Sequence, residues 1–221
     1  MPKLVWDQEG EKLWETGVDK GVIYKKDESG AYTVSEAWNG LTNVEESPSG
    51  GEPTALWADN QKYGEIMSTE EFGGTIEAYM YPDEFNECNG AKEIAPGVFV
   101  AQQTRKPFGL TYRSLIGNDT EGENHGYKIH IVYNAKVKPA SVSRSTVNES
   151  PEAGTMSWEF STTPVPVPDA KPTAHLTFDS TKVAKEKMAA LEAILYGSES
   201  TEPKLPMPEE IITLMGESAA G

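Results

Sequence analysis

GLTYRSLIGNDTEGENHGYKIHIVYNAKV (residues 109–137) and SPEAGTMSWEFSTTPVPV (residues 150–167) decide the class of this fold. Within 127–137, Tyr127, Ile129, Ile131, Tyr133, Ala135 and Val137 occupy one side of a period-two pattern. Lys128, His130, Asn134 and Lys136 occupy the other, with Val132 the one apolar residue among them. Successive side chains of a strand point to opposite faces, so the pattern predicts a half-buried strand with one wet face. Met156, Trp158 and Phe160 alternate with Ser157, Glu159 and Ser161 in the same way. Pro164, Pro166 and Pro168 then end central pairing, because proline has no N–H to give to a ladder.

Outward from these two segments, short strands bounded by turn residues are predicted at 21–25, 31–37, 41–45, 54–58, 75–81, 98–104, 110–116 and 173–179. This spacing predicts a mainly β (α+β) fold, a sandwich or barrel flanked by one or two short helices. EESPSGGEP (45–53) reads as a mobile hairpin tip, and GNDTEGENHG (117–126) as a second long acidic connection. Residues 82–89 read as a short helix opened by Pro82 and closed by Gly90. A longer helix is expected after Asp179 or Ser180 as cap, with Ala184, Met188, Leu191 and Leu195 as its apolar stripe and Gly197 as its stop. The polar linker SESTEPKLP (198–206) leads to a second short helix at 207–215. The chain thus divides into a β domain with its packed helix, 1–196, and a C-terminal arm, 197–221. So short a helix is unstable alone and must dock, on its own domain or on a neighbour.

The chain of 221 residues carries 19 basic and 35 acidic residues, a formal charge of −16. Binding nucleic acid through its phosphates needs clustered Lys and Arg, so that class is excluded. Residues 1–100 hold 20 acids against 7 bases, whereas 101–160 hold 6 against 7. An acidic face could meet the stretch containing Arg105, Lys106, Arg113, Lys128, Lys136, Lys138 and Arg144 on another copy. Carboxylates lining a channel, through which DNA slides without sticking, are the other reading of the same charge. Cys88 is the sole cysteine, which leaves no intrachain disulfide and no cysteine-based metal cluster. MPKLVWDQEGEK lacks a signal peptide's apolar core, and no apolar run approaches the roughly 18 residues of a membrane span. Synthesis in the cytoplasm, with no membrane contact, is expected.

No catalytic apparatus emerges. The chain has no G-x-S-x-G elbow, phosphate-binding loop or G-x-G-x-x-G, and its adjacent acidic pairs cannot face one another across a cleft. His125, His130 and His175 fall in a loop and on two different strands without zinc-site spacing, and read as surface or sheet histidines. Asp119, Glu121, Glu123 and Asn124 offer oxygens to calcium but lack the ligand order of an EF-hand. No cofactor, no metal and no enzymatic activity are expected. Trp6, Trp14, Trp38, Trp57 and Trp158 are dispersed, which suits core anchors or subunit seams better than a sugar platform.

The two opening segments, with ALWADNQKYGEI (55–66), EEFGGTIEAYMYPDEF (70–85) and LPMPEEIITLMG (205–216), resemble the major tail proteins of long-tailed phages and prophages of Gram-positive bacteria. The resemblance implies a tail-tube-type β fold, made in the bacterial cytoplasm, that closes into hexameric rings and ends in the virion. Stacked rings would form the tail tube through which DNA passes without specific binding. The implied partners are other copies of the chain, the tape-measure protein, the tail terminator and the baseplate or distal tail proteins. In that family a long loop reaches a neighbouring subunit or ring, a role the resemblance gives to Glu45, Glu46, Ser47, Pro48, Glu52 and Pro53. Arg105, Lys106 and Arg113 are its expected basic counterparts, and Ile211 and Leu214 the expected clasp of the C-terminal arm. Strands 75–81 and 127–137 would continue the sheet between subunits. Two other readings stay open: an acidic β-sandwich binding module, for instance for carbohydrate, and the inner tube of a contractile, tailocin-like particle.

Overall fold

The computed structural model describes residues 3–146 and 153–216. The chain begins with β1 (Leu13–Lys26), β2 (Tyr32–Ala37) and β3 (Leu41–Glu46). An excursion leads through β4 (Ser49–Gly50), β5 (Pro53–Ala58), β6 (Gln61–Met67) and β7 (Glu70–Glu71), returning as β8 (Gly73–Ala78). Helix α1 (Phe85–Cys88) and the hairpin β9 (Lys92–Ala95) and β10 (Val98–Val100) lead to the long pair β11 (Phe108–Asn118) and β12 (Gly122–Val137). The rest comprises β13 (Met156–Ser161), the hairpin β14 (Val165–Val167) and β15 (Ala170–Thr173), β16 (His175–Asp179), α2 (Lys185–Tyr196) and α3 (Pro208–Met215). The expected mainly β fold with a few short helices is what these elements make.

Strand β12 belongs to two sheets. Its first part lies between β11 and β16, in the order β2-β1-β11-β12-β16, and its last residues pair with β13, which continues to β8 and β3. The switch occurs at Asn134, whose φ of 50° lies in the left-handed region, and the β11–β12 register slips by one residue there. A bulge of this kind inverts the facing of the residues beyond it. Ile129, Ile131 and Tyr133 therefore join one core, while Ala135 and Val137 cross to the other beside Val132. Asn134 suits this position because its side chain tolerates the conformation and is held on both ends: Oδ1 accepts from the Tyr32 hydroxyl at 2.8 Å and Nδ2 donates to the Thr163 carbonyl at 3.0 Å.

The result is three layers. Ile23, Leu110, Tyr112 and Val132 face Ile76, Trp158 and Phe160 across the gap between the sheets, with Phe85 and Cys88 of α1 closing one end. On the outer face of the larger sheet, Tyr24, Ile129, Ile131, Tyr133 and Phe178 pack against Met188, Leu191 and Leu195 of α2 and Ile211 of α3. The predicted wet face of 127–137 is thus wrong, since His130 is 6% exposed and Val132 wholly buried. Period two shows which residues share a face but not how many layers cover the strand. Strands 75–81 and 127–137 are likewise interior, each flanked on both sides, and have no free edge to offer a neighbour. The edge strands are β2 and β16 of the larger sheet and β3 of the smaller.

The acidic connection 117–126 is shorter than its sequence suggests. The pairing Asn118↔Gly122 reduces 117–126 to a turn at 119–121, and the side chain of Asn118 accepts from the Glu121 amide at 2.6 Å. Helix α2 starts at Lys185, later than its sequence signals suggest. Asp179 instead stabilises a turn, accepting from the Thr181 amide at 2.9 Å and its hydroxyl at 2.6 Å. The stripe Met188, Leu191 and Leu195 packs inward as predicted. The C-terminal arm docks on its own chain: Leu205 bridges to Tyr32 of β2, and the Tyr133 hydroxyl donates to the Pro206 carbonyl at 2.8 Å.

Cys88 lies wholly buried in the inter-sheet core, and burial pushes its thiol up to about 12. The thiolate is the reactive form, so the native protein is expected to resist thiol reagents at pH 8 and to label stoichiometrically in denaturant. Rapid labelling of folded protein, read by mass spectrometry, would contradict this placement.

Candidate functional site

The excursion between β3 and β8 is a two-stranded arm. Glu45 to Ser47 lie along the returning strand, with the Ser47 amide donating to the Gly73 carbonyl at 2.8 Å. Further out, β4 pairs with β7, Glu52 donates its amide to the Ser68 hydroxyl at 3.1 Å, and β5 pairs with β6. The tip is Asp59-Asn60, with φ of 49° and 63° at the two turn residues, the signature of a type I′ hairpin. Residues 45–53 therefore form the root and shaft of the arm rather than its tip. The run SPSGG points to the wrong turn, and the true one lacks the glycine that usually marks such a position. At about 3.3 Å per residue, the shaft from Ser47 to Ala58 reaches on the order of 40 Å. At its root Gly74 is obligatory, since a Cβ there would lie 2.1 Å from the Glu45 carbonyl oxygen.

Almost nothing on the arm is buried. Trp57 is 70% exposed and Tyr63 79%, and Leu56, Ile66 and Met67 are also open to solvent. Residues 45–71 add seven carboxylates against the single Lys62, which pairs with Glu65. Two smaller apolar outcrops accompany it, Leu4, Val5 and Trp6 near the N-terminus and Ile94, Val98 and Phe99 on the β9–β10 hairpin.

The basic residues expected to receive an acidic arm are mostly engaged within the chain. Arg113 grips Asp19 through Nε at 2.7 Å and Nη2 at 2.5 Å, and its guanidinium lies 5.2 Å from the Tyr127 ring centroid. Lys106 meets Glu87 at 2.9 Å, while Lys128 pairs with Glu15 and Lys138 with Glu159. Arg105 is half-buried. Lys136 and Arg144 have no carboxylate partner among the described residues. Ile211 is 4% exposed and Leu214 packs on the same cluster, so neither is free for a neighbouring subunit in this conformation. Asp119, whose oxygens the sequence offers to calcium without an EF-hand's ligand order, accepts from the Gly10 and Lys12 amides at 3.0 and 3.4 Å, and Glu121 meets His125 at 2.8 Å.

A second constellation sits at the root of the arm. Glu46 ends β3, His130 lies in β12 and His175 begins β16. Register pairs Val132 with His175 and His130 with Thr177, making the histidines diagonal neighbours on one face. His130 Nδ1 lies 3.2 Å from Glu46 Oε1 and 3.3 Å from His175 Nε2, and His175 Nε2 lies 3.7 Å from the same carboxylate oxygen. The Tyr112 hydroxyl donates to Glu46 Oε1 at 2.6 Å. The His130 contact foremost, then the Tyr112 hydroxyl, holds the Glu46 carboxyl down at about 2, against a burial effect in the other direction. Burial lowers His175, favouring its neutral imidazole, and burial with the Glu46 contact raises the Tyr112 phenol. His130 and His175 are sheet residues on two strands, as their spacing suggests, but that spacing does not show that the strands bring them together. Only the pairing of 128–132 with 175–179, which no local pattern encodes, unites them.

No protein-family model matches the chain, and no curated protein matches it. No helix among the described residues is long and apolar enough to cross a membrane.

Proposed function

We propose that this chain is a structural, self-assembling subunit, the tube-forming protein of a long phage tail, whose work is to pack against copies of itself. The observation that carries the reading is the arm. An isolated two-stranded hairpin is marginal in water, and this one presents Trp57, Tyr63, Leu56, Ile66 and Met67 with nothing among the described residues to cover them. Such a surface is favourable once another molecule buries it, and aromatic anchors dominate interface energetics. In a ring, the arm of each copy would lie on the next copy or on the next ring, a head-to-tail contact that closes by rotation. The sequence resemblance supplies the finer expectations: hexameric rings, a tape-measure protein and DNA within the channel, and terminator and distal tail proteins at the ends. The net charge of −16 suits a wall that DNA passes without adhering.

Purified protein examined by negative-stain electron microscopy across concentration and salt is expected to show hollow rings or tubes. The exposed Trp57 and Tyr63 rings also meet the requirement of the competing binding-module reading, an aromatic platform. Folded monomers at every concentration, together with retention on a polysaccharide matrix, would favour that reading instead.

A further inference from the structure

We propose that Glu46, His130 and His175 bind a divalent transition-metal ion, zinc by the nature of the donors, and that this ion clasps the root of the arm to the body of the protein.

Geometry is the first support. A tetrahedral zinc ion with bonds of about 2.0–2.1 Å requires its donors to lie about 3.3–3.4 Å apart. The three separations here are 3.2, 3.3 and 3.7 Å. The planes of the two imidazoles are within 4° of parallel, with ring centroids 5.5 Å apart and the nearest nitrogens 3.3 Å apart. Glu46 Oε1 flanks that gap.

Hydrogen bonding is the second. The Ser114 hydroxyl has one proton and donates it to Glu15 Oε1 at 2.5 Å. Its 3.0 Å contact with His130 Nε2 must then be donated by the imidazole. In the neutral ring this leaves Nδ1 as a bare lone pair facing a carboxylate oxygen and the second histidine. A neutral His175 can bridge this gap by donating from Nε2, and in its other tautomer Nε2 is a second lone pair beside His130 Nδ1 and the Glu46 oxygen, the donor set that a metal ion takes. Two nitrogens with one carboxylate oxygen select zinc and its late first-row neighbours over magnesium or calcium, which take oxygen ligands.

The surroundings match those of built metal sites. Ser114 fixes the tautomer of His130 and Tyr112 fixes Glu46, the outer-shell roles that orient ligands. The Tyr112 ring stacks on His130 with centroids 4.6 Å apart, and the Phe72 ring on His175 at 4.5 Å. A cavity of about 290 Å³ lies beside the site, lined by Glu46 and His130 together with Glu15, Thr42, Tyr112 and Ser114. Because β3 belongs to the smaller sheet and β12 and β16 to the larger, one ion would join both sheets just where the arm departs.

The full chain, stripped with chelator, is to be titrated with zinc sulfate by calorimetry, and with Co²⁺ while visible absorption is recorded. One equivalent per chain is expected, with the spectrum of a four-coordinate N/O site. At a zinc excess of a hundredfold over the dissociation constant, the melting temperature should rise by about 5–10 °C. His175→Ala is expected to weaken binding at least about a hundredfold and Ser114→Ala about tenfold. Absence of heat, spectrum and thermal shift in the wild-type chain overturns the proposal, leaving the gap bridged by a hydrogen bond between the two histidines. So does zinc binding undiminished in His175→Ala, which would put the ion elsewhere. Neither result depends on whether the protein forms tubes.

Discussion

Trp57→Ser combined with Tyr63→Ser is expected to leave the protein folded and to abolish its assembly. Both side chains are largely exposed and touch no core, so their loss should move intrinsic stability by no more than about 0.5 kcal/mol. Their effect on association is of another size. An aromatic side chain covered by a partner removes about 150–250 Å² from water, which at about 25 cal/mol per Å² is at most roughly 4–6 kcal/mol. Ordering costs reduce that figure, yet half of it from either residue weakens one contact by about a hundredfold. A ring needs that contact at every seam, so the deficit multiplies. Sedimentation velocity and electron microscopy read assembly, and circular dichroism confirms the fold. Normal tubes from the double variant would remove the arm from the interface. A lost fold would mean that the two rings serve their own chain.

The two segments that decide the fold class did so because alternation is a local signal, and Met156, Trp158 and Phe160 sit much as their spacing predicts. What stayed hidden was set by partners distant in sequence. Val132 looked like an intruder because the second sheet that covers it comes from β8 and β13. The shift of facing after Asn134 needed the positive φ of one residue, which no periodicity reports. The arm was half legible: strands 41–45 and 54–58 were foreseen, but the Ser, Pro and Gly of 47–51 outweighed Asp59-Asn60 as the turn. Glu46, His130 and His175 had no legible link, because Glu46 lies 84 positions before His130 and His175 lies 45 after it. Arg113 was read as free because charge alone does not reveal that Asp19 stands across the β1–β11 ladder.

Removing residues 198–221 is expected to cost the protein a large part of its stability, although the sequence presents this segment as an appendage. The linker is stitched to α2 and to the sheet: the Lys204 amide donates to the Ile194 carbonyl of α2 at 2.9 Å, and the Leu205 amide to the Tyr32 carbonyl of β2 at 3.1 Å. Leu205 and Ile211 are both nearly inaccessible, with Met207, Leu214 and Met215 packed against the same cluster. Two fully buried aliphatic side chains contribute about 1.5–3 kcal/mol each. Their loss also uncovers Tyr133, Met188 and Leu191 and leaves the Tyr133 hydroxyl without its Pro206 acceptor. Water can reach the uncovered hydroxyl, so the loss is set by the apolar burial, roughly 3–6 kcal/mol, a large part of the stability of an ordinary domain. The truncated chain should therefore melt far below the full-length protein or fail to fold. Ile211→Ala, a milder version of the same change, should cost about 2–5 kcal/mol and preserve the native spectrum. Because β12 is shared between the helix-covered core and the inter-sheet core, loosening one side should release both, and the Ile211→Ala melt should remain a single transition. A truncated protein with unaltered melting temperature would return 197–221 to the status of a detachable arm, free to clasp a neighbour.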